Sequence, residues 1–236
     1  MKRYIALLLA AAVTFSLAAC GTDRNDASEK QGSGQENSAP QNEEDVLEAP
    51  ASSQTAEGKI LIAYFTAAEN SGVDAVSSAS YSVVNDTAVG RLRAIADMIQ
   101  AETGGELFSI QTSVVYPADG GELIDYAAQE QEEDARPELT SHIEDLDEYG
   151  IIFVGFPNWW ADLPQVLYSF FDEYDFSGKT IIPFNVHNGS RFSGTIETVQ
   201  QLEPDAEVIT DGFTVNERDV PNAAGDVASW LDKIGY

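Results

Sequence analysis

The sequence predicts an α/β fold in three layers: a five-stranded, parallel sheet with helices on both faces. Continuous apolar runs at Lys59–Phe65, Ile151–Phe156 and Thr180–Val186 have the length and composition of strands buried on both faces. Two weaker runs, Glu106–Ser113 and Ala206–Val215, read as edge strands because polar residues interrupt them. Between the runs lie apolar residues at helical spacing, and strands alternating with helices imply right-handed crossovers.

The elements follow in chain order. Lys2 and Arg3 precede an apolar run, Tyr4 to Leu17, that is too short and too early for an ordinary membrane span. It ends in Leu17-Ala18-Ala19-Cys20, which resembles the lipobox of bacterial lipoproteins and implies cleavage before Cys20 and acylation of it. Residues 1–20 are thus expected to be a signal peptide. Residues 21–57, polar and acidic, are expected to be a disordered tether, since they cannot bury enough apolar surface to offset their ordering entropy. As a coil the tether spans about 30–35 Å. Residues 58–236 form the folded domain. Its expected place is extracytoplasmic, held to the bacterial membrane through the lipid alone.

Within the domain, Val89, Leu92, Ile95, Ala96 and Ile99 fall at helix spacing, as do Val166, Leu167, Phe170 and Phe171, and later Ala223, Val227, Trp230, Leu231 and Ile234. A further helix is placed in Gly121–Asp134 on a stripe of Leu123, Ile124, Ala127 and Ala128, with Glu130 to Asp134 as a solvated face. Pro183 sits inside a central strand, where proline is normally excluded, so a bulge or a strand end is expected there.

Composition excludes several functions. Cys20 is the only cysteine, so disulfides, thiol catalysis and thiolate metal sites are ruled out once it is lipidated. From Gly58 onward eight Lys/Arg face thirty-one Asp/Glu, a charge of −23 that repels nucleic acid and anionic lipid. Neither GxxxxGK[ST] nor GxSxG is present, which argues against nucleotide triphosphate enzymes and serine hydrolases.

Three loops should meet at the carboxyl edge of the sheet, where open α/β sheets bind ligands. They are Thr66–Asn70, Pro157–Ala161 and His187–Gly194. Trp159 and Trp160, just past a strand end, suggest a planar ligand; the alternative is that both indoles cap the core. The third loop is rich in glycine and serine, so its backbone can approach a ligand closely, with Arg191 as a counter-charge.

The stretches KILIAYFT at 59–66, TGGELFSI at 103–110, DEYGIIFVGFPNWWADLP at 147–164 and FDEYDFSGKTIIPFNVHNGSRFSGTI at 171–196 resemble the flavodoxins, in particular a branch with tandem tryptophans. The resemblance spans essentially the whole folded part. It implies strand order 2-1-3-4-5 and a non-covalently bound FMN, for which flavodoxin is a standing example. It assigns Thr66, Ala68 and Asn70 to the phosphate segment, with help from Arg91 or Arg93. Pro157, Asn158, Trp159 and Trp160 then lie along the ribityl chain and ring, and His187, Asn188, Gly189, Ser190 and Gly194 close the other side. The first loop departs from the family pattern in two ways. Ser71–Asp86 are inserted before the helix resumes at Gly90–Leu92, and Glu69 places a carboxylate near the phosphate. Either Glu69 faces outward, or FMN binds poorly. The implied function is electron transfer to a redox partner protein or small acceptor. An NAD(P)H-dependent quinone or flavin reductase, and a binding module that has lost FMN, are the alternatives.

Overall fold

The computed structural model describes residues 58–71, 81–84 and 87–236. The leader, Cys20 and the tether lie outside the described residues, as do parts of the 71–86 insertion.

Strand β1 (Lys59–Tyr64) pairs in parallel with β4 (Glu106–Ser109) and β5 (Tyr149–Pro157), and β5 with β6 (Thr180–His187). The fifth position is shared by β7 (Glu207–Val208) and β8 (Phe213–Asn216), both parallel to β6. Taken in chain order around the sheet, this is the predicted 2-1-3-4-5. Separate from it, β2 (Tyr81–Val84) and β3 (Thr87–Gly90) pair antiparallel, so the insertion carries a hairpin.

Pro183 explains the split fifth strand. Lys179, Ile181 and His187 accept from residues 207, 209 and 217, so alternate residues of β6 face the fifth strand. Pro183 falls in that phase and has no N–H to offer. β7 ends opposite Ile181 and β8 begins opposite Phe184, leaving the proline between them. β6 itself runs through without a break, in place of the expected bulge or strand end. Gly212 fills the gap so closely that a Cβ there would stand 2.5 Å from the Pro183 carbonyl oxygen.

The side-chain period of two divides the core. Leu61, Ala63, Phe65, Ile152, Val154 and Phe156 face one layer, with α3 (Gly120–Glu132), α4 (Gln165–Glu173) and α5 (Thr195–Leu202). Ile62, Tyr64, Ile151 and Phe153 face the other, with α2 (Arg91–Thr103) and α6 (Ala224–Ile234). A short α1 (Ala67–Ser71) follows β1. Two stripes need correction. Val89 belongs to β3, and α2 buries Leu92, Ile95, Ala96 and Ile99 from Arg91 onward. In α3, Ile124 is exposed while Glu130 is buried, so the solvated face begins after Glu130.

Candidate functional site

The carboxyl ends of β1, β5 and β6 bring the three expected segments to one rim. Phe65 N–H donates to the Gly155 carbonyl, and its ring meets Trp159 edge-on at 5.6 Å. Asn158 N–H donates to the Val186 carbonyl, and its amide donates to the Arg191 carbonyl at 2.8 Å, tying the second segment to the third.

In the first segment, Thr66 is fully buried, and a Cβ on Gly90 would come within 2.8 Å of its hydroxyl oxygen. Ala68 is half-buried. Asn70 acts as a backbone clasp: its amide nitrogen donates to the Thr66 and Ile110 carbonyls, and its oxygen accepts from Thr112 N–H at 2.8 Å. Glu69 turns toward two hydroxyls, accepting from Ser109 at 2.6 Å and from Tyr64 at 3.1 Å, with Arg93 at 3.8 Å. Of the two alternatives left open for Glu69, the structure bears on its direction alone: two O–H donors and a guanidinium hold the carboxylate at the β1–β4 edge. Burial, with Glu69 beside it, pushes the Tyr64 phenol up to about 12, so it stays a donor across the physiological range. Arg93 also pairs with Asp97 at 2.6 Å, and Arg91 with Glu217 at 3.3 Å in a largely buried contact. Both candidate phosphate-binding arginines are thus engaged by carboxylates.

The tandem tryptophans part company. Trp159 and Asp162 exchange both backbone hydrogen bonds around a tight turn whose central residues, Trp160 and Ala161, have φ of 52° and 64°. That turn sends the two indoles different ways. Trp159, only 8% exposed, packs edge-on against Phe65 and Tyr116 in the core. Trp160 is 55% exposed, and its indole N–H donates to the Ile124 carbonyl at 2.9 Å, which fixes the ring while leaving much of it open. Pro157, the last residue of β5, is buried.

In the third segment Asn188, Gly189, Ser190, Arg191 and Gly194 are exposed. Left-handed backbone recurs at Gly189, Arg191 and Ser193, with φ of 105°, 55° and 51°. His187 is buried, and its Nδ1 accepts from Gly189 N–H at 2.8 Å, which only the neutral ring can do. Burial, helped by Arg191, lowers its pKa below the usual 6.5. His142 lies apart on the surface, 2.7 Å from Glu173.

Two buried polar groups escaped the sequence reading. Asn185 of β6 is fully buried and donates to the same Arg191 carbonyl at 2.8 Å. Glu130, 6% exposed, stands 3.5 Å from the Tyr116 hydroxyl beneath Trp159. Side-chain oxygens of Asn158 and Asn185 are buried without a hydrogen-bond partner.

The exposed Trp160 indole and the left-handed backbone at Arg191 and Ser193 follow β5 and β6. Near the first segment, Arg91 and Arg93 are already paired with carboxylates.

The flavodoxin family profile matches residues 59–234. No curated protein matches the chain. Among solved structures, a candidate flavoprotein from Bacteroides uniformis is 27% identical, with a TM-score of 0.57, covering 74% of this chain and 98% of its own. One from Bacteroides eggerthii is 24% identical, with a TM-score of 0.57, covering 75% and 98%. A flavoprotein in complex with FMN from Lactobacillus acidophilus is 16% identical, with a TM-score of 0.50, covering 70% and 97%. With the profile match covering most of its length, the chain belongs to the flavodoxin family.

Proposed function

We propose that the protein is an extracytoplasmic, lipid-anchored FMN protein that carries electrons between a membrane-side donor and a partner protein or small acceptor. The observation that carries the reading is the rim itself: three strand ends meet there, Asn158 ties the second segment to the left-handed third one, and the Trp160 indole is held open. The Lactobacillus relative, described in complex with FMN, has the same fold. FMN would supply the redox chemistry, and the chain would supply binding, orientation and field. Trp160 would cover a ring face, the 188–194 segment would line the opposite side, and residues 66–70 would take the phosphate end. The charge of the domain would disfavour a reduced, anionic ring and so lower its potential.

The anchor rests on Leu17-Ala18-Ala19-Cys20. A Cys20→Ala substitution should move the protein from the membrane pellet to the soluble fraction.

The engaged arginines favour a second reading, a family member that no longer takes a phosphorylated ligand. Flavin-loaded protein, reduced chemically and mixed with an electron acceptor, tests the first. Transfer without NAD(P)H oxidation supports a carrier, and failure to retain flavin supports the second reading.

A further inference from the structure

We propose that Asn185, a residue inside β6, is the positioning residue that holds the 188–194 segment ready for its ligand. The inference rests on the flavin reading above and deepens it.

Asn185 is fully buried, with the buried apolar residues Phe184 and Val186 on either side along the strand. Burial energetics alone favour an apolar side chain at such a position, the more so because its amide oxygen has no partner. Its amide nitrogen, however, donates to the Arg191 carbonyl at 2.8 Å. Asn158 reaches the same oxygen at 2.8 Å from the end of β5, and its nitrogen also lies 3.3 Å from the Ser193 hydroxyl. One carbonyl therefore takes two amides from two adjacent strand ends. The residues so held, Arg191 and Ser193, have left-handed backbone. Non-glycine residues keep such backbone only where their surroundings impose it. His187, two residues beyond Asn185 on the strand, secures the start of the loop by accepting from Gly189 N–H.

The loop is thus shaped by the sheet before any ligand arrives, which spares the ligand the cost of ordering it. Asn185 acts through the loop and touches the ring side of the site only indirectly. Its removal weakens every ligand that uses the ring side, phosphorylated or not.

The test uses Asn185→Leu, which removes the unpartnered oxygen together with the donor and keeps the number of side-chain heavy atoms. In flavin-free protein, amide hydrogen exchange across 188–194 should accelerate while β5 and β6 stay protected. Titration with riboflavin and with FMN should show both weakened about tenfold, equivalent to about 1.4 kcal/mol, with their ratio unchanged. Asn158→Ala, which removes the other donor to the same oxygen, should behave alike and combine less than additively with Asn185→Leu. It carries the test if the leucine variant does not fold. Unchanged exchange in the loop, or a loss confined to FMN, overturns the inference. A wild-type protein that binds neither flavin overturns the flavin reading instead, and the exchange result then stands on its own.

Discussion

Replacing Glu130 by glutamine should stabilise the protein at neutral and alkaline pH and leave it unchanged in acid. Glu130 lies on the buried face of α3, with one carboxyl oxygen unpartnered and the other 3.5 Å from the Tyr116 hydroxyl. Burial raises its pKa from 4.5 to about 7; the Tyr116 hydrogen bond opposes the shift, and Glu133, the residue just past the helix, adds to it. Because the folded carboxyl holds its proton more tightly than the unfolded one, folding takes up a proton between pH 4.5 and 7. Stability contributed by this group is therefore full below about 4.5 and lost as pH rises through about 7. At about 1.4 kcal/mol per unit, the loss approaches about 3 kcal/mol. Glutamine keeps the shape and never ionises. Urea unfolding of both proteins from pH 4 to 8 should give curves that coincide at the acid end and separate by about 3 kcal/mol at pH 8. Glu203, also raised to about 7 by burial with Asp175 and Asp172 near it, is present in both proteins and drops out of the difference. Parallel curves would refute the assignment of a buried, proton-retaining carboxyl.

Other outcomes follow from the same geometry. Trp159→Ala should cost about 3–5 kcal/mol of stability in urea unfolding, as loss of a buried aromatic does, whereas Trp160→Ala should leave stability nearly intact and weaken flavin binding. Arg93→Ala removes the cation beside Glu69, so FMN affinity should fall about tenfold while riboflavin affinity holds, read by fluorescence titration. His187 must be neutral to accept from Gly189, and its pKa is depressed. The 188–194 segment should therefore loosen as pH falls below about 6.5, seen as faster hydrogen exchange there. The potential of bound flavin should rise between low and high salt, because screening weakens the field of the acidic surface.

Much of the fold was legible because its signals are local and repeated. Apolar runs and helical stripes gave the strand order once the family resemblance was added, and Pro183 marked an irregularity whose location was right. The sequence could not say that the neighbouring strand would break in place of β6, since that depends on which side of the sheet the missing N–H faces. Glu130 was hidden within an acidic run, although its spacing from Leu123 and Ala127, at i+7 and i+3, puts it on the buried stripe. Ile124 misled for the converse reason, lying one position off that stripe. At the site, the segments were readable and their side-chain directions were not. Whether Trp159 or Trp160 faces outward is decided by two positive φ angles at residues with no glycine to announce them. Asn185 looked like any strand residue, because its partner is a carbonyl six positions away in a folded-back loop.

The central claim is that this rim holds a single flavin through its ring. Calorimetric titration of the flavin-free 58–236 domain, within its full chain, with FMN and with riboflavin tests it most directly. The account predicts one site for each, with quenched flavin fluorescence, and a marked loss of both in Trp160→Ala. Absence of binding heat and of quenching with either flavin, or equal binding by wild type and Trp160→Ala, would contradict it.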